Sequence, residues 1–117
     1  MNKRLYALGR LRRGERNRTE GAYEQYLEML LRAGEIFWYR FEAIKLRLAD
    51  NTFLTVDFAV MNKSSVLELH DVKGDRAIFT DDAKVKIKVA AEQYPFLFKI
   101  VYPVKGTKLS KWEVVEV

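Results

Sequence analysis

Hydrophobic and polar positions along the chain change period several times, and each change marks an element. Over residues 19–33, Tyr23, Leu27, Leu30 and Leu31 recur at helical spacing, with Tyr26 at the edge of the stripe. That pattern predicts a helix with one buried face. Asn17 is suited to cap it, with Glu20 three residues on, and Ala33-Gly34 ends it at a glycine able to turn left-handed. From Ile36 to Leu48 aromatic and aliphatic residues dominate, and Phe37-Trp38-Tyr39-Arg40-Phe41 reads as a strand. Turn chemistry at Asp50-Asn51, flanked by Ala49 and Thr52, marks a reversal. Phe53–Met61 is predicted as a second strand, Asn62-Lys63-Ser64 as a turn, and Ser65–Lys73 as a third strand closed by Gly74. Links this short join antiparallel neighbours, because a parallel pair needs a crossover.

The second half begins with two competing periods. Val85-Lys86-Ile87-Lys88-Val89 alternates like a strand, whereas Ala83, Ile87, Ala90, Ala91 and Tyr94 form a helical stripe. Thr80-Asp81-Asp82 supplies a cap and first-turn acids, and Pro95 a stop, so a helix is predicted. Lys86 then falls near the inward stripe. Phe96–Tyr102 and Trp112–Val117 read as closing strands. The order is helix, three antiparallel strands, helix, one or two strands: an α+β or mixed α/β sandwich. Phe37, Trp38, Tyr39 and Phe41 are expected in its core, since a base-stacking platform needs exposed rings.

Composition narrows the chemistry. The 117 residues suit one domain, here 19–117, preceded by a basic arm at 1–18. No apolar run approaches the length of a bilayer span, and the N-terminus lacks the apolar stretch of a secretory signal. The expectation is a cytoplasmic protein with no membrane partner. With no cysteine and one histidine, thiolate zinc sites, cysteine nucleophiles and most imidazole metal sites are excluded. The net charge of +5 is unevenly placed. Arg12, Arg13, Arg16 and Arg18 crowd the arm, which suits a nucleic-acid backbone. Lys86 is a further candidate phosphate contact, although a solvated lysine is the plainer reading.

Strand phase then locates a site. In the second strand Asp57 is a carboxylate in an apolar run, on the face of Phe53, Thr55 and Ala59. In the third strand Asp71 and Lys73 share a face, while Val66, Glu68, His70 and Val72 point the other way. If the register aligns them, two carboxylates and a lysine meet on one patch. Oxygen donors of this kind, with the Val72 carbonyl between Asp71 and Lys73, suit Mg²⁺ or Mn²⁺. A lysine beside them is placed to orient a water or to stabilise developing negative charge. The plainer alternative is a surface acid pair with Lys73 as an ion-pair partner of little energetic worth.

Thr55-Val56-Asp57-Phe58, followed at fourteen residues' spacing by Asp71-Val72-Lys73-Gly74, resembles the signature of the PD-(D/E)XK nuclease superfamily. Its usual form is Pro-Asp-Phe on one strand, then a strand ending Glu-Val-Lys-Gly. Val56 stands at the proline position, which binds no metal, and Asp71 at the acid position, where the motif admits either acid. Arg18-Thr19-Glu20 is similar to the acidic first helix of that superfamily. The run from Glu20 to Tyr94 resembles small phage and prophage nuclease-like proteins. The resemblance implies a restriction-endonuclease-like core and Mg²⁺- or Mn²⁺-dependent hydrolysis of DNA phosphodiesters, structure-directed or nonspecific, in phage replication, recombination or DNA processing. It implies Asp57, Asp71 and the Val72 carbonyl as metal ligands, Lys73 as a catalytic group, and Glu20 as a fourth member. For Glu20 a capping box with Asn17 is the competing explanation, and Glu24 is the reserve acid. A Holliday-junction resolvase would act as a homodimer, to place two sites on symmetric strands, in the host cytoplasm if phage-encoded. The alternatives are a non-catalytic nucleic-acid-binding module on the same fold, and a structural or regulatory subunit.

Overall fold

The computed structural model describes residues 16–74 and 81–117. Residues 1–15 of the expected arm, with Arg12 and Arg13, and the expected cap Thr80 lie outside that range.

Helix α1 (Arg18–Arg32) begins one residue earlier than its apolar spacing predicts, so Arg18 belongs to the helix. Its start is a full capping box. Glu20 N–H donates to Asn17 Oδ1 at 2.8 Å, and Asn17 N–H donates to Glu20 Oε1 at 2.9 Å. Its end is a Schellman motif. Gly34, at φ +76°, donates to Leu31 O, and Glu35 N–H donates to Leu30 O at 2.8 Å.

The remaining elements are β1 (Ile36–Phe41), β2 (Lys45–Ala49), β3 (Thr52–Thr55), β4 (Phe58–Asn62), β5 (Leu67–Val72), α2 (Asp81–Gln93), β6 (Leu97–Pro103) and β7 (Trp112–Glu116). The fold is mixed α+β. A five-stranded sheet has the order β1-β4-β5-β6-β7, and β2-β3 form a separate hairpin. All neighbours in the large sheet are antiparallel except β5 and β6, which α2 joins as a crossover.

The expected strand Phe53–Met61 is thus two strands. Thr52–Thr55 pairs with β2, Phe58–Asn62 enters the main sheet, and the chain bends at Val56 and Asp57. A hydrophobic run cannot announce such a bend, because both halves are half-buried strands. The turn between β2 and β3 is where the sequence places it, with Asn51 in the left-handed region at φ +53°.

Each face of the sheet has its own core. On one side α1 packs Tyr23 and Leu27 against Ile36, Phe41, Phe58, Val60, Val72 and Val101. On the other, the hairpin residues Leu46 and Leu48 and neighbouring Val56 meet Ala59, Leu69, Phe98 and Ala90 of α2. Gln93 Nε2 donates to Leu48 O at 3.2 Å, tying the hairpin to the helix end. Burying a side chain such as Phe58 contributes about 1.5–3 kcal/mol.

Two expected orientations are corrected. Phe41 is buried and Tyr39 half-buried, but Phe37 is 56% and Trp38 41% exposed. β1 is an edge strand, and a bulge between Ile36 and Trp38 re-aims these rings. Lys86 is exposed; the inward residues of α2 are Ile87 and Ala90. Among the described residues, no helix is long and apolar enough to cross a membrane.

Candidate active site

The register of β4 on β5 pairs Phe58 with His70 and Ala59 with Leu69. Asp57 precedes Phe58 and Asp71 follows His70, so the two acids flank the last pair of this ladder, and their carboxyls are close enough to interact. Asp71 lies on the face of Leu69 by strand alternation.

Asp57 is held from two directions. Its carbonyl accepts the Glu42 N–H at 2.8 Å, while the Val56 N–H donates to Ile44 O. Its carboxylate Oδ2 accepts the Val72 N–H at 2.7 Å. The backbone of Asp57 thus belongs to the β1–β2 connection and its side chain to β5. Val72 lends its N–H to the site, while its own side chain is buried on the α1 side.

Lys73 Nζ lies 2.8 Å from Asp71 Oδ2, both side chains being largely covered. That oxygen is fully buried yet accepts no well-directed hydrogen bond. The contact is therefore a charge pair with poor hydrogen-bond direction. The Lys73 main chain is fixed separately, its N–H donating to Val101 O at 2.8 Å on the parallel strand β6.

Electrostatics set Asp57 apart. Burial pushes its carboxyl well above the usual carboxylate range, the Asp71 charge pushes further, the Val72 N–H opposes, and Glu20 adds to the rise. The Glu20 carboxylate itself is engaged in the cap of α1. The capping box is thus the geometry that Glu20 forms, and toward the acids it contributes its charge. Glu24 faces Arg16 instead, whose guanidinium donates to it and stacks over Phe41 at 4.5 Å. Arg18 is exposed on the first turn of α1.

Two convergent carboxylates, one with a buried oxygen lacking a directed donor, are what a small divalent cation satisfies. Asp57 and Asp71 are the two acids here that could hold one. Among the described residues, no three carboxylate or imidazole groups close on one point, and the Lys73 ammonium provides the positive charge beside the pair.

A second polar cluster lies behind the site and was not foreseen in the sequence. Tyr23 OH meets His70 Nδ1 at 2.7 Å, and His70 Nε2 meets Glu68 Oε1 at 2.8 Å. Asn62 Nδ2 donates to Glu68 Oε2 at 2.7 Å, and Lys99 Nζ lies 3.1 Å from Oε1. Burial alone would raise the Glu68 carboxyl, but hydrogen bonds from His70, Asn62 and Lys99 outweigh it and hold it down to about 2. The available signal was phase. Glu68 and His70 share the face opposite Asp71, and in a central strand that face is also covered.

Compared with known protein families, curated proteins and solved structures, the chain matches none.

Proposed function

We propose that this protein is a divalent-metal-dependent nuclease that hydrolyses phosphodiester bonds in DNA. The observation that carries the reading is the meeting of Asp57, Asp71 and Lys73 where β4 begins and β5 ends. The mixed α+β order supports it: β1, β4 and β5 are antiparallel neighbours, and α2 crosses over to the parallel strand β6.

In this reading Asp57, Asp71 and the Val72 carbonyl hold Mg²⁺ or Mn²⁺, which when bound neutralises phosphate charge and acidifies a water. The Val72 N–H keeps the Asp57 carboxylate turned toward β5. Asp71 bridges the two halves of the site, since it neighbours Asp57 at the end of the ladder and Lys73 along its own strand. Lys73 carries its charge beside the acids, where it orients a water or stabilises negative charge on the phosphate. Exposed Arg18 and Lys86 remain candidate contacts to the DNA backbone.

The test is cleavage of duplex, single-stranded, flap and four-way DNA in Mg²⁺ or Mn²⁺, with Asp57→Ala alongside. Cutting that needs metal and disappears in Asp57→Ala is expected. No cutting of any substrate defeats the reading. One observation favours a second reading, a nucleic-acid-binding module without catalysis: Glu20 is committed to its helix cap and Lys73 to Asp71. DNA binding that is equally tight in chelator and unchanged by Asp57→Ala would decide for the module. Solution mass addresses the homodimer that a junction resolvase requires.

A further inference from the structure

We infer that Tyr23 is a positioning residue for the acid pair, gripping from the α1 side of the sheet the chain neighbours of both Asp57 and Asp71. What the acids do rests on the nuclease reading; that Tyr23 places them does not.

Tyr23 is 1% exposed and touches two residues that face each other in the ladder. Its ring packs edge-on against Phe58 with centroids 5.7 Å apart, and Phe58 follows Asp57. Its hydroxyl lies 2.7 Å from His70 Nδ1, and His70 precedes Asp71. One side chain thus contacts both strands directly behind the two acids. Tyr23 is also a single helical turn from Glu20, so the same contact fixes where α1 places that carboxylate.

The chemistry gives the contact a direction. His70 Nε2 faces the Glu68 carboxylate at 2.8 Å, which also receives Asn62 and Lys99, so Glu68 can only accept. A ring proton therefore sits on Nε2, and in the neutral tautomer this leaves Nδ1 to accept the Tyr23 O–H. In that tautomer each partner has a fixed role, and the hydroxyl has one orientation. Phe58 is 0% and His70 5% exposed, and a close-packed interior passes a displacement at Tyr23 to its neighbours.

Tyr23→Phe keeps the ring on Phe58 and removes only the hydroxyl. On the full chain, its Mn²⁺ affinity by titration calorimetry should fall on the order of ten-fold. Its kcat on DNA should fall with KM unchanged, and the Asp57 and Asp71 amide resonances should shift without metal. Leu27→Ala is the control. It opens a hole in the same helix interface and costs more stability, yet should keep wild-type Mn²⁺ affinity and leave those two resonances in place. Equal effects of the two variants on affinity and resonances, or none from Tyr23→Phe, overturn the inference. In the metal-free wild type, long-range proton–nitrogen spectra should find the His70 proton on Nε2, and a proton on Nδ1 also overturns it. A wild type that binds no Mn²⁺ defeats the nuclease reading instead, and the resonances of Asp57 and Asp71 still decide the role of Tyr23.

Discussion

The Val72 main-chain N–H donates to the Asp57 carboxylate at 2.7 Å, one position before β4 begins. A side chain takes the place of a main-chain acceptor here, while the Asp57 carbonyl faces the other neighbour and receives Glu42 N–H just beyond β1. The strands part at this point, and the acids stand at the parting.

Asp57→Asn should stabilise the metal-free protein. The amide oxygen can still accept the Val72 N–H, and its NH₂ can donate toward Asp71 as the protonated acid does, without the proton that the folded wild type must take up. A gain of about 1 kcal/mol for each pH unit above the ordinary aspartate value is expected, with loss of metal-dependent cleavage. Thermal melts in chelator check it, and a lower melting temperature than wild type contradicts it.

Stability should depend on pH with opposite signs at the two polar clusters. Asp57 has a raised folded value, chiefly by burial and then by Asp71, so the native state keeps a proton that the unfolded chain releases. Its contribution is complete below about pH 4 and is lost as pH rises through the folded value. Glu68 is held down to about 2, by hydrogen bonds from His70, Asn62 and Lys99 that outweigh burial. Its contribution is present above the ordinary glutamate value and lost as pH falls toward 2. Calorimetry in chelator should therefore show greatest stability on the acid side of neutrality. Asp57→Asn should flatten the alkaline decline and leave the acid limb unchanged; an unaltered alkaline limb is the contrary result.

Lys73→Met should cost about 1–3 kcal/mol in chelator, because it leaves the buried Asp71 Oδ2 without its ammonium neighbour. If the acids bind metal, Mn²⁺ should restore much of this loss by binding only the native state. Denaturant melts with and without Mn²⁺ measure both effects, and equal deficits in the two conditions argue against a metal between the acids.

Glu68→Leu should be among the most damaging single changes, about 3–5 kcal/mol, since it leaves the Lys99 ammonium beside the core without its carboxylate. Glu68→Gln should cost less, because its amide oxygen can still accept. Equal melting temperatures for the two variants would show that the cluster contributes packing alone.

Phe58→Ala should cost about 3–5 kcal/mol by opening a cavity between α1 and the sheet. Trp38→Ala, on the exposed edge, should stay within about 0.5 kcal/mol. A large loss for Trp38→Ala would mean that the edge of β1 is covered in solution.

The sequence by itself determined the local structure. Helical spacing of Tyr23 and Leu27, the Asn17 and Glu20 pair, and Gly34 carry α1 with both of its caps, since caps and stripes depend on neighbours a few residues away. Strand alternation likewise put Asp71 and Lys73 on one face and Glu68 and His70 on the other, because strand geometry fixes side-chain direction within the chain. The tertiary structure decided what depends on partners distant in sequence. The bend that splits Phe53–Met61 exists because its two halves pair with different strands. Phe37 and Trp38 are exposed because β1 is an edge strand with a bulge, and an apolar ring reads the same in sequence on either kind of strand. Only the β4–β5 register brings Asp57 and Asp71 together, and only the packing of α1 brings the Tyr23 hydroxyl to His70. Those distances come from contacts forty-seven residues apart in the case of Tyr23 and fifteen in the case of Asp57. Local periodicity carries no information about them.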